Sequence, residues 1–224
     1  MQATSIEQAV KIDPNGLSGD LVIPEGAQGV VLFAHGSGSS RHSPRNRYVA
    51  SVLQQGGLAT LLFDLLTGAE ERADMATGQF RFDIGLLAKR LIEATEWLRR
   101  GLAPHGLCVG FFGASTGAGA ALLAAAERPS LVHAVVSRGG RPDLAGSALL
   151  RVHAPTLLIV GGNDRPVIEL NRQALTALRC EKKLSIVPGA THLFEEPGTL
   201  EQVAKLARNW FELNLKVELP YGGT

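Results

Sequence analysis

The 224-residue sequence has little of several things that would otherwise set its class. Only two cysteines occur, Cys108 within an apolar run and Cys180 at the end of a helical one. Two thiols without metal-ligand spacing exclude a disulfide framework and a cysteine-built metal site, and they read as reduced thiols. Charge of either sign is not in surplus: 22 Lys and Arg stand against 21 Asp and Glu, scattered along the chain, for a formal net charge of +1. That balance gives no reason to expect a nucleic-acid partner. Long hydrophobic runs are also missing. Gly, Pro or a charged residue interrupts every apolar stretch before it reaches the ~18 residues that cross a bilayer, so no membrane partner is expected. The segment from Met1 to Ile12 has acidic and polar residues where a secretory leader carries a basic start and an apolar stretch, and a cytoplasmic location is expected.

What the chain does have is 45% hydrophobic composition, enough for one continuous core, and a single domain over residues 1–224 is expected. Ser5–Ile12 and Leu17–Ile23 flank Asp13-Pro14-Asn15-Gly16, a turn signal that joins antiparallel strands. Beyond Pro24 the pattern changes. Val30–Ala34, Leu58–Phe63, Leu107–Phe112, Leu131–Val136, Thr156–Val160 and Leu184–Val187 are short and almost wholly apolar, as strands covered on both faces must be. Helical spacing fills the intervals at 47–55, 82–100, 116–127, 167–178 and 200–214, with Asp83 placed to cap the second. This alternation predicts a mostly parallel, doubly wound α/β sheet preceded by an antiparallel hairpin.

One strand-to-helix junction carries chemistry. Leu107–Phe112 runs into Gly113-Ala114-Ser115-Thr116-Gly117 and then into a helical run of Ala, Gly and Leu. A Gly-x-Ser-x-Gly turn in that context lifts the serine oxygen above the sheet, and its glycines leave room for the neighbouring backbone. It also sets Ser115 at a helix N-terminus, where free N–H groups favour developing negative charge. The plainer alternative is a tight turn with Ser115 as helix cap.

A serine hydroxyl needs a base, and on such turns an acid and then a histidine follow in chain order. His192 comes just after the last strand. His153 and His133 precede strands, at the opposite end of the sheet, and His105 sits in a loop before one, so all three read as structural. Asp164, after a strand and a glycine turn, is the expected acid, the alternative being a cap on the following helix. Asp143 is the fallback, and Glu169 lies a turn too deep. For the oxyanion, the backbone N–H groups of Thr116 and of Ser37 are expected, the latter from the loop Gly36–Ser40. A phosphate cradle at Gly36-Ser37-Gly38 is disfavoured: it lacks Gly-Lys-Ser/Thr and the full dinucleotide fingerprint, and Asp64 does not rescue it alone. His35 is expected to hold the loop.

With Phe33–Ser40, Gly113–Gly117, Asp164 and His192 in order, the sequence resembles the α/β-hydrolase superfamily over essentially its whole length. Leu32–Arg47 is similar to a stretch in the dienelactone hydrolase-like branch, including bacterial hydrolase domains joined to phosphoribosyltransferases. Dienelactone hydrolase itself carries cysteine at the turn, where this chain has Ser115. The resemblance therefore implies ester hydrolysis in general, through an acyl-enzyme, on a small-molecule ester, with no metal or organic cofactor. Thioester or peptide cleavage by the same residues, and a hydrolase-fold binding module without turnover, are the alternatives. An aspartate nucleophile, which dehalogenation on this fold requires, is absent. Residues 137–155 leave room for a loop and a short helix, so no cap domain is expected, and the chain is expected to be a monomer or homodimer. Arg41 and Arg138 follow strands at the site end and are candidate binders of a substrate carboxylate or phosphate; the plainer expectation is that they tie loops to acids such as Asp64, Glu70 or Asp143.

Overall fold

Alternating burial along Leu17–Pro24 and continuous burial along the central strands, such as Gly29–Ala34 and Thr156–Gly161, separate the edge of the sheet from its middle. The computed structural model describes residues 5–101 and 106–216; His105 lies outside them. The opening hairpin, β1 (Ser5–Ile12) and β2 (Leu17–Pro24), pairs Ser5 with Pro24 and Ile12 with Leu17. β3 (Gly29–Ala34), β4 (Ala59–Phe63), β5 (Cys108–Ala114), β6 (Ala134–Arg138), β7 (Thr156–Gly161) and β8 (Lys182–Val187) follow. The eight strands lie in the order β1-β2-β4-β3-β5-β6-β7-β8, with the β1–β2 and β2–β4 pairs antiparallel and all other pairs parallel. β8, an edge, exposes Lys182 and Lys183, charges that discourage further strand pairing.

Two helical layers cover the sheet. α3 (Ile84–Gly101) and α4 (Thr116–Glu127) close one face around Leu32, Leu61, Phe111 and Leu158; α1 (Pro44–Gln55) and α6 (Thr199–Asn214) close the other around Phe33, Phe112, Ile159 and Phe211. The rings of Phe33 and Phe112 stand 4.9 Å apart. Alternate residues of one strand serve opposite cores, as the two-residue period of a strand requires. α5 (Arg165–Ala177) follows β7, and residues 137–155 hold only a 3₁₀ segment, Pro142–Arg151, so there is no cap domain. No helix among the described residues is long and apolar enough to cross a membrane.

Helix starts differ from expectation by a few residues for local reasons. α1 begins at Pro44, its Ser43 hydroxyl accepting the Asn46 N–H at 3.4 Å. Asp83 caps α3 as expected, taking the Leu86 N–H at 2.9 Å. α2 (Gly68–Thr77) was not anticipated, although Thr67 and Glu70 form a reciprocal capping box at its start.

Candidate active site

The turn after β5 is set by steric exclusion. A Cβ at Gly117 would stand 2.2 Å from the Ala34 carbonyl oxygen, and one at Gly113 would stand 2.4 Å from the Ala118 Cα. Only hydrogen fits at either place, so β5, β3 and α4 meet at van der Waals distance. Ser115 between them adopts φ 50°, ψ −120°, a conformation that costs a non-glycine residue about 1–3 kcal/mol. Its side chain makes no capping bond, which removes the helix-cap alternative. The backbone is held on both sides: Ser115 N–H donates to the Arg138 carbonyl at 3.2 Å, and the Ser115 carbonyl accepts from Ala118 and Arg141.

On the facing side, the loop after β8 carries His192. Its Nδ1 stands 2.6 Å from Asp164 Oδ2. Asp164 precedes α5 yet makes no side-chain cap bond, so its carboxylate is committed to the imidazole. Asp143, the fallback acid, is bound by both ends of the Arg141 fork at 2.8 and 2.7 Å, and Glu169 pairs with Gln173 within α5. The His192 loop lies against the same strand end as Ser115: a Cβ at Gly139 would come 3.5 Å from the His192 ring, and the preceding residue, Arg138, accepts the Ser115 N–H. No Ser115–His192 hydrogen bond occurs among the described residues, as is common in free hydrolytic sites, where such bonds tighten on substrate.

The Ser37 loop meets the turn differently from expectation. Ser37 N–H is not an open donor. It donates to the Thr116 hydroxyl at 2.9 Å, and Thr116 is 4% exposed. Beneath the loop His35 has a fixed tautomer: Nε2 accepts the Leu65 N–H at 3.2 Å, which leaves Nδ1 to donate to the Gly36 carbonyl at 3.0 Å. Burial pushes its pKa below the ordinary imidazole value, against a smaller opposing effect of the Gly36 bond. His35 therefore holds the loop as a neutral ring. His133, just ahead of β6, accepts the Val109 N–H, and His153 is exposed ahead of β7, both at the other end of the sheet.

The two arginines diverge. Arg41 is paired with Asp64 and lies 3.7 Å from Asp20, the loop-tying role. Arg138 is 7% exposed, its Nε is buried without a partner, and no carboxylate among the described residues pairs with it. It stacks 5.9 Å over the Phe194 ring in the His192 loop. Burial, with the Arg45 charge nearby, pushes its pKa down to about 10.

A cavity of about 250 Å³ opens beside the Ser37 loop, lined by Leu65, Leu66, Leu87, Glu71, Met75 and Arg81 among others. Residues of α2 form one wall, so the unanticipated helix shapes the space next to the turn. Its signal in the sequence was the Thr67-x-x-Glu70 capping box. No cluster of His, Cys, Asp or Glu fit to hold a metal ion is found among the described residues.

A strained serine at a strand-to-helix turn, an aspartate and histidine paired from the loops after β7 and β8, and a capless eight-stranded sheet define an α/β hydrolase. The chain belongs to the dienelactone hydrolase family, whose model it matches over residues 17–215. A crystal structure of dienelactone hydrolase from Anabaena variabilis is 62% identical and superposes with a TM-score of 0.92 over 96% of this chain and all of that one. A lidless α/β serine hydrolase of Xanthomonas campestris, 21% identical over 95% of this chain and 97% of its own, shares the fold with a TM-score of 0.74. Proteins of two Mycobacterium tuberculosis strains, provisionally named phosphoribosyl transferases, are 61% identical over 205 residues; the match takes in 92% of this chain and 45% of theirs.

Proposed function

We propose that the protein is a serine hydrolase that cleaves carboxylic esters through an acyl-enzyme. The observation that carries this reading is the 2.6 Å His192–Asp164 contact, made by an aspartate free of the capping role its position invites. Asp164 fixes Nδ1 as the protonated nitrogen and leaves Nε2 as the base. His192 takes the Ser115 proton as Oγ bonds to the carbonyl carbon; the imidazolium then protonates the departing alcohol as its C–O bond breaks. Water, deprotonated by the same nitrogen, releases the acid and restores Ser115. Thr116 N–H, at the start of α4, faces the developing oxyanion. No cofactor takes part in these steps. This chain matches only 45% of the mycobacterial relatives, and their transferase name is not carried over to it.

The substrate is a small ester, and the unpaired, buried Arg138 supports one that carries a carboxylate or phosphate. Arg41 is already occupied by Asp64 and has no such role. The first experiment is labelling with a fluorophosphonate probe. Wild type should be modified and Ser115→Ala should not; an unlabelled, folded wild type overturns the catalytic reading in favour of a binding module. Turnover of short p-nitrophenyl esters against thioesters and aminoacyl amides then separates esterase from thioesterase or peptidase. Arg138→Met should lower the preference for anionic over neutral esters by about tenfold, the scale of one charge-assisted hydrogen bond, and Arg41→Ala should leave it unchanged.

A further inference from the structure

The contact between Ser37 and Thr116 has an unspent proton. A hydroxyl offers one donor and two acceptor positions. Thr116 Oγ1 uses an acceptor position on Ser37 N–H at 2.9 Å, and no acceptor for its own O–H occurs among the described residues, though the residue is only 4% exposed. Leaving a buried donor unmatched costs about 1–3 kcal/mol, so the arrangement is at rest only when something accepts that proton. Its surroundings limit what that can be. The Ser37 loop touches the turn itself: a Cβ at Gly36 would lie 3.2 Å from the Ser115 Cβ and 3.3 Å from the Ala114 carbonyl. Thr116 Oγ1 thus sits in the seam between the loop and the nucleophile, in the place where an oxyanion bound directly by Ser37 N–H would have to sit.

We propose that the Thr116 hydroxyl is itself an oxyanion donor. Ser37 N–H donates to Thr116 Oγ1, and the hydroxyl hands its own proton, as a hydrogen bond, to the anionic oxygen formed when Ser115 attacks. Thr116 then supplies two donors, its backbone N–H and its O–H, and Ser37 acts one bond removed by polarising the second. Serial hydrogen bonds of this kind strengthen one another in a site of low dielectric. The branched side chain adds stiffness at χ1, which favours a donor already in place over one that must be ordered during the reaction. Because no bond to Ser37 has to break, the free site needs no rearrangement before attack.

This inference rests on the acyl-enzyme reading, and the two fail differently. Fluorophosphonate labelling of wild type comes first: no labelling overturns the reading and this proposal with it. Given labelling, Thr116→Val keeps the shape and removes the hydroxyl. A loss of about 10²-fold in kcat with little change in KM is expected, the scale of one oxyanion donor. Affinity for a trifluoromethyl ketone, whose hemiketal oxyanion mimics the intermediate, should fall by a similar factor, whereas affinity for the product acid should not. Thr116→Ser should restore kcat to within about threefold of wild type, since it returns the donor. Thr116→Ala, which adds no group that could clash, serves as the second hydroxyl-free variant, and melting curves identify any that is unfolded. Wild-type kcat and ketone affinity in the folded Val or Ala variant would overturn the proposal and make the hydroxyl a placeholder that Ser37 N–H abandons.

Discussion

The turn that carries Ser115 and the loop that carries His192 face each other, and contact and hydrogen bonding share the work of holding them in different proportions. The turn is rigid through contact. Hydrogen is all that fits at positions 113 and 117, and the serine is pressed into a conformation that costs it energy. The loop also packs closely, a Cβ at Gly161 standing 2.5 Å from the Ala190 carbonyl oxygen, but it carries more directional bonds. Asn163 N–H donates to the Ala190 carbonyl, the Asn163 side chain to the Gly189 carbonyl, Thr191 N–H to Glu196, and His192 itself meets Asp164. One wall of the site thus has a fixed shape, and the other has a fixed pattern of donors and acceptors. The proposed roles match this difference: preorganisation of a nucleophile needs the first, and a base that changes protonation twice in each cycle needs the second.

Substitutions should separate the two walls. The largest expected effect is Ser115→Ala, about 10⁶-fold in kcat on ester substrates. Asp164→Asn, which spoils the tautomer of His192 and little else, should cost about 10⁴-fold with Tm almost unchanged, because bonded loops tolerate an isosteric exchange. The contact-built wall should respond in the reverse sense. Gly117→Ala drives a methyl group into the Ala34 carbonyl and is expected to lower Tm on the order of 10 °C by differential scanning fluorimetry. Ser115→Gly removes the nucleophile but also the strain, so an inactive protein with Tm raised by a few degrees is expected; a lowered Tm would mean that the turn is not strained.

The smallest effect concerns pH. His35 anchors the Ser37 loop in the neutral form, its pKa lowered mainly by burial, and His133 is lowered for the same reason. Below the ordinary value of 6.5 the unfolded chain takes up protons that the folded protein refuses. Stability should therefore be flat above that pH and decline below it, until the folded-state values are reached. Tm measured from pH 7.5 down to 5.5 should fall by a few degrees, and His35→Gln, which offers a neutral donor and acceptor, should reduce the slope.

The sheet and the turn were legible because their signals are local. Short apolar runs marked β3 to β7, and Gly-x-Ser-x-Gly between a buried strand and a helix marked the proposed nucleophile. The triad candidates followed from order along the chain. α2 was missed for a physical reason: its only buried member is Asp74, so there was no apolar stripe to read, and only its capping box marked the start. β6 extends to Arg138, past its apolar run, because Ser137 and Arg138 are buried under packed neighbours and not by their own hydrophobicity.

Arg41 and Arg138 show where such reading stops. Both follow strands at the site end, and composition cannot tell them apart. Asp64 and Asp20 come to Arg41 through the pairing of β2 with β4, whereas β6 carries Arg138 over the Phe194 ring with no carboxylate paired to it among the described residues. The same holds for Asp164 as triad acid against helix cap, and for Ser37 as open against engaged donor. Covalent neighbours fixed the strands, the turn and the order of Ser115, Asp164 and His192, because burial period and glycine sterics act over a few residues. The partner of each polar group was decided by folding alone, since a hydrogen bond depends on a few tenths of an ångström between atoms that the chain brings together from far apart.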